Sequence, residues 1–375
     1  MRILFTYKEA SRMGITLHTE LCRLLNIRYP LFLAGMAGGP STVELVSAVS
    51  EAGGLGTLGA AYMEPEAIRG AVRLIREQTS QPFGVNLFAA RSADDNARTQ
   101  QVQQTLDGIR EELNLAPAVP GGLRTPEYFE KQVAVLLEEK VPVISTAFGL
   151  LSESMMRQAK AVGSHVVAMV TTVNEAIMAE QAGCDMIVAQ GSEAGGHRGT
   201  FDVAGDRRMG ANIGTMALVP QIVDRVHVPV LAAGGIMDGR GLAAALALGA
   251  QGVQMGTRFL TATESGAHAA YQERLLASNE ESTLLTRAFS GRPARGLRNA
   301  FIDRWNESGI DPLPFPTQNT ATRDIRNEAA RQNNPDFMSL WAGQGTRLLT
   351  SGQSARQIVQ ETIDRASEIL HGKKD

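Results

Sequence analysis

The sequence predicts an α/β protein folded as a (β/α)8 TIM barrel, with a small, mostly helical accessory domain inserted between strand eight and the last helix. Three observations carry that prediction. Eight short apolar runs recur along the chain with the near-continuous hydrophobicity of parallel strands buried on both faces. Amphipathic stretches of helical period lie between them. Glycines gather where the last of these strands end, on the rim where barrel chemistry sits. An open, doubly wound sheet is the other architecture that such alternation allows.

The strands are read, in order, as "YPLFLAGMAG" (29–38), "GLGTLGA" (54–60), "PFGVNLF" (82–88), "VPVISTAF" (141–148), "SHVVAMVTT" (164–172), "CDMIVAQG" (184–191), "VPVLAAGGI" (228–236) and "GVQMGTRFL" (252–260). Helices follow at "TVELVSAVSEAG", "PEAIRGAVRLIREQT", "PEYFEKQVAVLLEEK", "ESMMRQAKAVG", "NEAIMAEQAG", "TMALVPQIVDRV" and "GRGLAAALALGA", with "SARQIVQETIDRASEIL" as the eighth. Two segments interrupt the rhythm. Residues 91–125 are polar, with one helical stretch and a Pro/Gly-rich "APAVPGG". Residues 261–345 are too long for a bare loop and read as the accessory segment over the barrel mouth. The barrel therefore spans 15–260 and 346–371, after an N-terminal extension, 1–14, in which Met13 offers a second start.

With 375 residues, 43% hydrophobic and 20% charged, the composition is that of a globular protein with a sizeable core. A net charge of −3 gives no reason to expect nucleic acid or an acidic membrane as partner. No apolar run approaches the ~18 residues of a membrane span, and the N-terminal apolar run is too short for a signal peptide. The expected setting is cytoplasmic. Two cysteines, Cys22 and Cys184, make neither a disulfide framework nor a metal pattern, and no histidine pair has zinc spacing. No metal is expected.

Gly234 and Gly235 end strand seven just before a helix, and Gly256 and Thr257 end strand eight. Backbone N–H groups at such ends form an anion cradle that the helix dipole strengthens. Tight turns alone would explain either site singly. The match to G-x-G-x-x-G at Gly54–Gly59 follows a helix and is itself a strand, so it is no dinucleotide fingerprint. The stretch "AQGSEAGGHRGTF" (189–201) lies at the end of strand six, crowded with glycines around His197. Its position makes His197 the candidate acid–base residue, since no nucleophile elbow appears and neither cysteine has a suitable setting. Glu193 could orient the histidine or face solvent, with solvent preferred. Arg198 could draw in an anionic substrate or pair with a surface carboxylate.

Together, "AQGSEAGGHRG", "AAGGIMDGRG", "GVQMGTRFL" and "GRPARGLRN" resemble the nitronate monooxygenases, FMN-dependent TIM-barrel enzymes, over most of the chain from "NIRYPLFLAGMAGG" to "WAGQG". The resemblance implies FMN, with its phosphate on Gly234, Gly235 and the turn Gln254, Met255, Gly256 and Thr257. It implies that Asn86 and Gln190 hydrogen-bond the ring or ribityl chain, that Gly195 lets the backbone approach the cofactor, and that Met36 packs near the ring. His197 matches the family's catalytic base. The implied reaction is oxidation of an alkyl nitronate with O2 to a carbonyl compound and nitrite or related oxides, with propionate 3-nitronate as the suggested substrate. A substrate carboxylate would suit Arg198, or Arg292, Arg295 and Arg298 of "GRPARGLR". A monomer or homodimer is expected.

Two other readings compete. An NAD(P)H-dependent flavin reductase on the same barrel, for enoyl thioesters or quinones, shares the "EAGGH" core. A flavin- or phosphate-binding barrel without catalysis would have no need of a titrating group at His197.

Overall fold

Residues 15–90, 94–119, 121 and 123–372 are described in a computed structural model. The 1–14 extension, with the start considered at Met13, lies outside the described residues, as does Arg91 at the head of the first interruption. Strands β1 (Leu31–Leu33), β2 (Gly56–Gly59), β3 (Phe83–Phe88), β4 (Val143–Ala147), β5 (His165–Val170) and β6 (Met186–Gln190) come first. After the two-residue β7 (Gly196–His197) follow β8 (Val230–Ala233) and β9 (Gly252–Met255).

Eight of these form one parallel sheet in the order β1-β9-β8-β6-β5-β4-β3-β2. Its ends meet. Leu55 N–H donates to Leu31 O and Leu33 N–H to Leu55 O, both at 2.9 Å, beside β2. The result is a nearly closed TIM-type barrel. Alternate residues of each strand serve two cores, because side chains alternate across a strand. Phe32 and Val188 join the inner cluster, while Leu31, Leu33, Ile187 and Ala189 pack outward beneath the helices. Both layers are apolar, which is why the strands read as unbroken hydrophobic runs.

The helix starts are written locally. Thr42, Ser152, Thr172, Asp238 and Ser354 each accept a backbone N–H at a helix N-cap, a contribution of ~1 kcal/mol apiece. The final helix, Ala355–His371, docks on Gly239–Ala247 through Gly239. A Cβ there would lie 2.4 Å from both Thr362 O and Ala366 N. The glycines of "GLGTLG" are packing residues: a Cβ on Gly56 would stand 1.9 Å from Val46 O.

The long insertion contains helices Ala269–Leu276, Ala300–Glu307, Thr317–Ala321 and Arg323–Arg331. It also contains an antiparallel pair that the sequence reading did not include, β10 (Thr283–Thr286) and β11 (Ala294–Leu297). β11 pairs in turn with β7, matching Ala294 to His197 and Arg295 to Gly196. The two interruptions, separate in sequence, share one apolar core. Val102, Leu106 and Ile109 of the helix Thr99–Glu112 pack with Phe289, Phe301, Trp305 and Ile325 of the insertion. No helix among the described residues is long and apolar enough to cross a membrane.

Candidate active site

A cavity of about 1270 Å³ opens where the strands end, between barrel and insertion. Met36, Asn86, Gln190, Gly195, His197, Gly234, Gly235, Gln254, Gly256 and Thr257 all line it. Met255, Arg198 and Arg295 do not.

His197 is held from three sides. Its backbone is a rung of β7 against β11. Gln190, at the tip of β6, accepts Gly199 N–H on Oε1 at 2.8 Å and donates from Nε2 to His197 O at 2.9 Å. Both ends of that amide are thus spent on the loop, so Gln190 positions His197 besides facing the cavity. The imidazole Nε2 lies 2.8 Å from the buried Ser290 Oγ. Ser290 Oγ also accepts Arg292 N–H at 3.3 Å and donates to Arg292 O at 3.2 Å. Around the ring stand Phe88, Phe148 and Trp341, with centroids 5.9, 5.6 and 5.3 Å away. The Arg292 guanidinium carbon sits 4.1 Å from the Phe148 ring centre, within cation–π range. Burial, then the positive charges of Arg292 and Arg326, push the His197 pKa down from 6.5 to about 3. The ring is neutral at physiological pH.

The glycines around His197 answer first to neighbouring backbone. A Cβ on Gly191 would lie 1.9 Å from Thr215 Oγ1, and one on Gly195 would lie 2.5 Å from Gly343 N. The close approach at Gly195 is therefore to the "WAGQG" segment, where Gln344 N–H donates to Glu193 O at 3.0 Å. Gly195 also lines the cavity, where the resemblance puts the cofactor. Glu193 does not turn to solvent. Its carboxylate accepts Thr215 N–H at 3.0 Å and Thr215 Oγ1 at 2.9 Å, capping the helix Thr215–Val223, where a negative charge is favoured.

The arginine expectations are also corrected. Arg198 is 0% exposed and donates to Gly191 O at 2.6 Å, Gln190 O at 2.7 Å and Ala211 O at 3.2 Å. It ties the loop together from within the wall and has no face toward a substrate. Arg295 donates to Ser192 O at 2.9 Å and Thr283 Oγ1 at 3.2 Å, Arg292 is buried on Thr200 O, and Arg298 is exposed with Asp303 at 2.7 Å. Met255 points outward into the strand–helix core, so only its neighbours on either side reach the cavity.

At the other end of the cavity Gly234 and Gly235 have φ of +121° and +70°, conformations that favour glycine. The N–H groups of Gly234, Gly235 and Gly256 donate to no other described residue. Thr257 Oγ1 accepts Gly343 N–H at 3.0 Å and keeps its own proton to donate. The Gln254 amide has no partner among the described residues, and Asn86 Nδ2 donates to Ser145 Oγ at 3.1 Å. This end offers donors to an anion and amides to a heterocycle. The sequence reading missed the aromatic wall, Tyr62, Phe88, Phe148, Phe315 and Trp341, and the cavity-lining Arg323 and Arg326. A signal existed for two of them: β3 and the β4 run both end in phenylalanine, "NLF" and "TAF", on the functional rim.

The nitronate monooxygenase family model matches residues 18–364. A protein described as a probable nitronate monooxygenase from Staphylococcus haemolyticus (strain JCSC1435) is 41% identical over 354 residues, 94% of this chain and 98% of that protein. Among solved structures, nitroalkane oxidase from Streptomyces ansochromogenes is similar with TM-score 0.85 and 36% identity, over 93% of this chain and 98% of that one. FabK from Thermotoga maritima is similar with TM-score 0.75 and 31% identity, over 95% and 98%.

Proposed function

This chain belongs to the nitronate monooxygenase family of enzymes, and from that premise we propose that it oxidises alkyl nitronates with O2, using FMN, with propionate 3-nitronate as substrate. The observation that carries the reading is the joining, in one cavity, of a neutral, half-buried histidine to a glycine-lined anion cradle. The residues fit FMN. Unengaged N–H groups of Gly234, Gly235 and Gly256, with the Thr257 hydroxyl, would hold its phosphate. Asn86 and Gln254 would hydrogen-bond the ring or ribityl chain, and Met36 would pack beside it. When bound, the flavin supplies the redox centre, which no side chain here replaces.

The chain's own groups bind substrate and handle the proton. With Ser290 Oγ donating to Arg292 O, the tautomer that carries its proton on His197 Nε2 donates it to Ser290. Nδ1 has no hydrogen-bond partner among the described residues and keeps its lone pair. It can therefore take the α-proton of a neutral nitroalkane. A pre-formed nitronate needs no base and is held by the positive field of Arg292 and Arg326. Phe88, Phe148, Phe315 and Trp341 exclude water from the reacting end.

The deciding test gives purified, flavin-loaded protein propionate 3-nitronate in air, then NADH or NADPH without oxygen. Oxygen uptake with nitrite release, and a flavin spectrum indifferent to the nucleotides, is the expected result. Rapid bleaching by a nucleotide with no response to nitronate would make the enzyme a reductase.

A further inference from the structure

The helix Arg323–Arg331 brings two arginines, Arg323 and Arg326, to the cavity wall three residues apart, on one helix face. Neither forms a salt bridge with a described residue. Arg326 donates from Nε to Thr322 O at 3.3 Å, and from Nη2 to Asn319 O at 2.7 Å and Asn319 Oδ1 at 3.0 Å. All three acceptors are neutral. Its Nη1, with two protons, donates to no described residue. The adjacent Asp324 is engaged elsewhere, 2.8 Å from Arg110 Nε.

A part-buried guanidinium without a counter-charge is costly to keep. Arg198, Arg292 and Arg295 also lack an ion pair with a described residue, but none of them lines the cavity. Arg198 and Arg295 donate from both ends of the guanidinium into the wall, and Arg292 is covered by Phe148. Burial also lowers the pKa of Arg326, while its charge reaches both Tyr62 and His197. Arg326 thus stands in the same chamber as the base, across the aromatic wall. It has the planar donor fork that suits a carboxylate.

We propose that Arg326, with Arg323 beside it, binds a carboxylate that the substrate carries at the end remote from its nitronate, and so sets a preference for carboxylated over plain alkyl nitronates. This rests on the nitronate-oxidising function proposed above. It makes Arg326 a specificity residue, a place that sequence reasoning had assigned to Arg198 and Arg295.

The test compares kcat/KM for propionate 3-nitronate and for propyl-1-nitronate, which lacks the carboxylate, in the wild type, Arg326→Gln and Arg326→Lys. The wild type should prefer the carboxylated substrate. Arg326→Gln should lose about 10- to 150-fold in kcat/KM for it, mostly through KM, so that the preference collapses. Arg326→Lys should recover part of the loss. An unchanged preference in flavin-loaded Arg326→Gln would overturn the assignment. If Arg326→Gln does not fold, the wild type still decides: propionate should compete with propionate 3-nitronate where propionamide does not, and equal inhibition by the two would overturn it. A wild type that consumes neither nitronate would instead overturn the proposed function itself.

Discussion

His197 is kept neutral by what surrounds it, and two measurements expose this. Its pKa of about 3 lies below the ordinary 6.5, so between these values the unfolded chain takes up a proton that the folded one refuses. The stability from this group is therefore present above pH 6.5 and is lost as the pH falls toward 3. Thermal melts should show His197→Asn losing less stability than the wild type between neutral pH and about pH 4.5. The same variant should keep its flavin and lose about 10²–10⁴-fold in turnover of neutral nitroalkanes. It should lose less with pre-formed nitronates, which need no proton removed. Equal losses on both would take proton abstraction away from His197. The histidine itself was legible in the sequence from its glycine-rich place at a strand end. Its partner Ser290 was not, because the contact spans 93 residues and a lone serine carries no pattern.

Strands and their ends were the most legible elements, for a physical reason. A strand buried on both faces must be apolar throughout, and the turn that follows must tolerate positive φ. Gly234 and Gly235 satisfy the second demand. Gly235→Val should accordingly yield protein with little flavin, read from the absorbance of the purified material, because φ of +70° disfavours a branched side chain and the phosphate's donors would shift. A variant that purifies fully loaded would move the phosphate site elsewhere. The purpose of other glycines could not be read locally. Gly191 and Gly195 announce a close approach, but what approaches is Thr215 in one case and the 342–343 backbone in the other, both remote in sequence. β7 could not be read at all. Two residues have no periodicity, and the strand exists only because β11 lies alongside.

At the scale of the whole molecule the two interruptions make a second core that leans on the barrel through both backbone and side-chain contacts. One of them is open to test. A Cβ on Gly343 would stand 2.6 Å from Glu193 O and 3.0 Å from Gly195 N. Gly343→Val should push the insertion off the β6 loop, so that flavin content and turnover fall together while the barrel still folds by circular dichroism. Retention of both would show that this seam bears no weight. The arginines of "GRPARGLR" and Arg198 looked functional in sequence because charge near a glycine-rich rim suggests a ligand, yet Arg292 and Arg295 stitch this seam, Arg198 ties its own loop together and Arg298 pairs with Asp303. The arginines left for a ligand sit in "TRDIRN", where the sequence shows an ordinary charged helix. The β7 rung has a last consequence. Because His197 is a residue of the insertion's own small sheet, its placement is inherited with the insertion as much as with the barrel. Exchanging insertions between relatives would exchange the seating of the base along with the binding wall, so that in such enzymes new substrate choice and new proton handling arrive as one evolutionary step.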